Sequence, residues 1–128
     1  MTHPIYTVGY LGWKQPELIA ALRRLNGLLV DIRFTPWSRN PQWIKANLEK
    51  LLGNDYVHIK ALGNAEHKTG GMRIFNYDMG VAFIASNADV RPIVLMFACK
   101  DNESCHREVV AKMLRKAGYT VQELEHSA

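Results

Sequence analysis

The chain has 128 residues, 48% of them hydrophobic and 22% charged, an ordinary globular composition with apolar content for one sizeable core. No apolar run approaches the ~20 residues of a membrane helix, and the opening MTHPIYTVGY lacks the basic, apolar and cleavage regions of a secretory leader. The net charge of +4 and pI of about 9.2 suit phosphate-bearing partners, nucleic acid included, but equally an ordinary solvated surface.

Ile5 to Val8 is short, β-branched and aromatic, and reads as a buried strand ended by Gly9. Pro16 opens a helix that carries Leu18, Ile19, Leu22 and Leu25 on one face, and Asn26-Gly27 stops it. Leu28 to Ile32 is an almost continuous apolar run, which suits a strand covered on both faces. Phe34 to Asn40 is a loop. Asn40 caps and Pro41 starts a second helix, which buries Ile44, Leu48, Leu51 and Leu52 and ends at Gly53-Asn54. Tyr56 to Ile59 is a third strand. Residues 61 to 73 have no clear period and read as a mobile loop. Tyr77 to Ser86 is a short helix, and Pro92 to Ala98 is the clearest strand. Cys105 to Lys116 is an amphipathic helix that buries Val109, Val110, Met113 and Leu114, and Tyr119 to Leu124 is a last strand. The alternation predicts a three-layer, Rossmann-like α/β domain over residues 1–128, with about five mostly parallel strands and helices on both faces.

In such sheets ligands bind outside the carboxyl ends of the strands. There the first strand delivers Tyr10. The second delivers Asp31 and Arg33, then Pro36, Trp37, Ser38 and Arg39. The third delivers His58 and Lys60, and the fourth delivers Cys99 and the segment to Cys105, His106 and Arg107. Ser104 is placed to cap the helix, so Cys105, His106 and Arg107 fall in its first turn. There free N–H groups and the helix dipole favour negative charge. That position lowers a thiol pKa, and it also holds an anion. Two readings therefore stay open: a thiolate nucleophile or an anion-binding helix end. Cys99 also reads as a small buried hydrophobe. Asp31 and Arg33, two apart on a strand, point to one face and form either a site or a mutual ion pair. Ser38 and Arg39 either cradle phosphate or cap the following helix.

Cys99, Cys105, His106 and His58 do not have the tight spacing of a zinc site, so no metal is expected. The segment from Cys99 to Arg107 outlines a phosphatase thiol loop. It is too long, lacks glycine and carries Asp101 and Glu103, which would repel phosphate. There is no dinucleotide fingerprint, Walker loop or nucleophile elbow, and no cofactor is expected. Two cysteines in a chain with its own core suggest a reducing, cytoplasmic setting.

The segments IYTVGY, LLVDIRFTPWSR, YVHIKALGN and IVLMFACKDNESCHREVVAKML, spread from residue 5 to about residue 117, resemble the family called domain of unknown function four-eighty-eight. The resemblance implies a compact α/β domain and places Asp31, Arg33, Pro36, Ser38, Arg39, Cys105, His106 and Arg107 in signature positions. It implies no activity. Some branches lack a cysteine at the Cys105 position, which favours anion binding by the shared basic residues. Leu62-Gly63-Asn64 departs from the family's frequent double glycine.

Three functions compete. The first is an enzyme on a phosphate-bearing substrate such as a nucleotide or nucleic acid. In it Cys105 is nucleophile, His106 acid–base partner, and Asp31 an orienting or deprotonating group. Tyr10, Arg33, Ser38, Arg39, Lys60 and Arg107 hold the anion. The second is a non-catalytic nucleic-acid-binding module, with Arg39, Lys45, Lys60, Lys68 and Arg73 on phosphates and Trp37 and Trp43 as stacking faces. The third is an interaction domain whose polar cluster only fixes the loops. The oligomeric state is open.

Overall fold

The computed structural model describes residues 3–65, 73–97 and 106–125, with the side chains of residues 106 and 107 left out. Five strands, β1 (Ile5–Gly9), β2 (Leu28–Asp31), β3 (Tyr56–His58), β4 (Ile93–Phe97) and β5 (Val121–Glu123), form one sheet in the order β3-β2-β4-β1-β5. Every pairing between them is parallel. β4, the most apolar segment, lies between β2 and β1 and is buried along its whole length.

Helices α1 (Gln15–Leu25) and α2 (Lys45–Leu52) cover one face of the sheet, packing Leu18, Ala21, Leu22, Leu48 and Leu52 against Val8, Leu29, Val94 and Met96. Helices α3 (Tyr77–Ala88) and α4 (His106–Lys116) cover the other, packing Ile84, Ala88, Val110 and Leu114 against Ile5, Val30, Ile93 and Leu95. The predicted three-layer α/β fold is therefore correct. Among the described residues no helix is long and apolar enough to cross a membrane.

Local chemistry sets the element ends. The Lys14 backbone N–H donates to Glu17 Oε1 (2.9 Å) where α1 begins, and Asn26 takes a left-handed φ of 54° to stop it. The second helix does not begin where its sequence suggests. Asn40 caps a short 3-10 turn, Pro41–Trp43, and extended backbone at Ile44 separates that turn from α2. The break lets Trp43 enter the core at 3% exposure beside Tyr10, while Leu48 and Leu52 keep their own buried face. The last strand is shorter than its apolar pattern, and the fourth helix is described from His106 onward. Of the stretch read as a mobile loop, Lys60–Leu62 is a 3-10 turn and Asn64 bridges Ile74 in antiparallel fashion. Phe75 N–H also donates to Gly63 O (3.0 Å), so both described ends of that stretch are tied together.

Candidate functional site

β4 is flanked by β2 and β1, and the chain leaves both of these for helices on the face opposite α4. β2 and β4 are neighbours, but the chain leaves β2 for α2 on one face and leaves β4 for α4 on the other. Connections that diverge in this way open a crevice at the carboxyl ends of the two strands.

Asp31 closes β2 there, with no exposed surface. Arg33, 5% exposed, turns back on it: Nε donates to Oδ1 (2.8 Å) and Nη2 to Oδ2 (2.7 Å). The Arg33 backbone N–H adds a bond to Oδ1 (3.2 Å), and the Tyr56 hydroxyl donates to Oδ2 (2.5 Å). The carboxylate thus accepts four bonds from a guanidinium, an amide and a phenol. Burial works against the Arg33 charge, but the hydrogen bond to Asp31 and the attraction of its carboxylate outweigh it and raise the guanidinium above its ordinary value. Burial, with the nearby negative charge of Asp31 and the bond to it, pushes the Tyr56 phenol far above its ordinary 10.0.

A column of rings backs this pair. The Arg33 guanidinium carbon lies 5.2 Å from the centre of the Tyr10 ring, which lies 5.0 Å from that of Trp43. His58 pairs with Asp31 in the sheet register, and its Nε2 donates to Arg33 O (2.7 Å). A carbonyl partner requires the hydrogen on Nε2. Arg33 is therefore gripped by side chain and by backbone, and it launches the next loop from a fixed point.

That loop is ordered by short-range bonds. Ser38, 8% exposed, accepts the Asn40 N–H (3.2 Å), and Asn40 Oδ1 accepts the Gln42 N–H (3.1 Å). The Lys45 N–H donates to Pro36 O (3.2 Å). Exposed side chains of this loop include Trp37, at 60% exposure, and Arg39. Lys60 is exposed at the end of β3, with its Nζ 4.2 Å from the centre of the Phe34 ring. Among the described residues no carboxylate pairs with Arg39 or Lys60.

The sequence-predicted residues thus divide. Asp31, Arg33 and Tyr10 form one buried cluster, and Ser38 acts on the loop backbone. Arg39 and Lys60 face solvent. His106 and Arg107 open α4, as expected, while Cys99 and Cys105 fall outside the described residues. Trp43 is corrected: it is buried against Tyr10, so it offers no open stacking face. Tyr56 is the member that sequence reasoning missed. Its signal was its place on the same strand face as His58, which gains meaning only once β3 is docked on β2 with Leu29 opposite Tyr56.

A family model described as Domain of unknown function DUF488 matches residues 17–114. The chain belongs to that family. The DUF488 match runs from the first turn of α1 into α4, so it takes in Asp31, Arg33, Tyr56 and the loop between β2 and α2, and leaves out Tyr10. No curated protein and no solved structure gives a significant match to the chain.

A groove of about 480 Å³ lies elsewhere, between α1 and β5, lined in part by Tyr6, Arg24, Leu25, Glu123 and Glu125. Its two carboxylates against one guanidinium disfavour an anionic ligand. Among the described residues at the carboxyl ends of β2 and β3, the exposed charged side chains are Arg39 and Lys60.

Proposed function

We propose that the protein binds a phosphate-bearing or other anionic ligand at the carboxyl edge of the sheet, where the connections leaving β2 and β4 diverge. Arg39, Lys60 and Arg107 meet the anion, and the buried Asp31–Arg33 pair holds the loop that presents Arg39. The observation that carries this reading is the division of labour among the cations. Arg33 is matched by a carboxylate, whereas Arg39 and Lys60 stand exposed at the same sheet edge without one among the described residues. A guanidinium or ammonium in that state is available for a charge-assisted bond to phosphate. Arg33 keeps only Nη1, with a long 3.5 Å contact to Trp37 O, so its main service is structural.

Isothermal titration with inorganic phosphate at low salt tests the reading. Replacing both Arg39 and Lys60 by Ala is expected to weaken binding about tenfold or more, since bonds to charged groups contribute about 1.5–3 kcal/mol each. Unchanged affinity in the double variant would remove both residues from the site.

The same edge suits a thiol-assisted enzyme acting on a nucleotide or nucleic acid, with Cys105 as nucleophile and His106 as acid–base partner. The sequence carries this reading, because a thiol in the first turn of a helix ionises more readily. In this version Asp31 orients through Arg33, because both its oxygens are engaged. Alkylation of Cys105 against pH separates an enzyme from a non-catalytic module. An apparent pKa well below about 8.5 supports the thiolate, and ordinary titration leaves binding alone.

A further inference from the structure

We infer that Phe34 and Phe75 form a stacking platform for a nucleobase, so that the ligand of the proposed site is a nucleoside monophosphate unit, free or within a single strand. The inference rests on the anion-binding reading above and adds what the anion is attached to.

The two rings come from separate segments, one just after β2 and one just before α3. They meet edge to face, with centres 5.3 Å apart and planes at 76°. The backbone holds them there. Phe75 N–H donates to Gly63 O, and Gly63 lies so close to Phe34 that an added Cβ would sit 2.8 Å from the Phe34 Cα. Phe75 nevertheless keeps 49% of its surface in water. Other large apolar groups are exposed nearby in the chain: Trp37 in the Phe34 loop at 60%, and Tyr77 and Met79 in the first turn of α3 at 43% and 62%. A rigid, half-exposed ring at a strand-end edge is suited to take a flat partner.

Charge narrows the partner. The Lys60 ammonium lies 4.2 Å from the Phe34 ring centre and 5.8 Å from that of Phe75. No described carboxylate neutralises it. An apolar peptide would bury that cation unpaired, and a bare anion would have no use for the rings. A base attached to a phosphate uses both: the base stacks on Phe75 and the phosphate draws Lys60 off the Phe34 face.

Titration calorimetry of the full chain with adenosine monophosphate, ribose 5-phosphate, inorganic phosphate and a short oligoadenylate tests this. A base–aromatic stack corresponds to roughly 5- to 150-fold in affinity. Adenosine monophosphate should therefore bind at least about fivefold tighter than ribose 5-phosphate. Phe75→Ala should close that gap, and Phe75→Trp should retain it, with circular dichroism confirming that both variants fold. Oligoadenylate binding tighter than the mononucleotide assigns the unit to a single strand, and equal binding assigns it to a free nucleotide. Equal binding of adenosine monophosphate and ribose 5-phosphate overturns the platform while leaving the anion site standing. If none of the four binds, both readings fall.

Discussion

Arg33 grips both carboxylate oxygens of Asp31, the residue two positions earlier, and the pair is sealed from water. Removing one member leaves the other buried and unmatched. Asp31→Ala is therefore expected to cost about 3–5 kcal/mol in urea denaturation, and Arg33→Met combined with Asp31→Leu should cost less than either single change. A loss of under about 1 kcal/mol for Asp31→Ala would mean that the carboxylate is not carrying a buried charge.

Tyr56 gives the same cluster a pH signature. Its folded-state pKa is raised above 10.0, so the native state holds the phenolic proton more tightly than the unfolded chain does. The resulting stability is complete below pH 10 and declines as pH rises above it. The difference in stability between wild type and Tyr56→Phe, about 1.5–3 kcal/mol near neutrality for a bond to a carboxylate, should shrink above pH 10. A difference that stays flat to pH 11 would sink this account.

Gly63 lies against backbone, which cannot turn aside. A Cβ there would stand 2.8 and 2.9 Å from the Phe34 Cα and N. Gly63→Ala should lose about 1–3 kcal/mol and displace Phe34. At Gly80 a Cβ would meet the Leu62 side chain at 2.3 Å, so Gly80→Ala should be relieved by Leu62→Ala, whereas Gly63→Ala should not. Thermal melts of the single and double variants distinguish the two cases.

The opposite sheet edge supplies a control. Arg91 binds Asn26 O (3.2 Å), Gly27 O (2.8 Å) and Asp55 Oδ1 (2.8 Å), tying together the segments that lead into β2, β3 and β4. Arg91→Ala should cost about 1–3 kcal/mol. Asp55→Ala, removing a half-exposed partner, should cost under about 1 kcal/mol. Both variants should bind phosphate as wild type does, and altered binding would show that the two edges are coupled.

The alternation of strands and helices is legible in the chain because runs such as PIVLMFA and the 3.6-residue spacing of Leu18 and Leu22 report burial directly. Strand order is not, because nothing local to β1 or β2 encodes that β4 will lie between them. The same limit governs the candidate site. Asp31 and Arg33 are close in sequence, so their shared face can be derived from strand spacing alone. Tyr56 reaches Asp31 only through strand register, and Phe75 reaches Phe34 only through the segment around Gly63. Trp43 misled for a related reason: a tryptophan beside a basic loop reads as a binding face until the break at Ile44 turns it inward.

The central place of β4 also governs how the chain can assemble as it is made. Among the described strands β1 pairs only with β4 and β5, both later in the chain, so it has neither of these neighbours until synthesis has passed Phe97. β2 and β3 can join earlier, but they remain cut off from β1 until the same strand arrives. Closure of the sheet is thus a late event that requires contacts across most of the sequence, the kind that slows folding. In that interval Val8, Leu29 and Val30, which end almost wholly buried, lack the strand that borders them in the sheet.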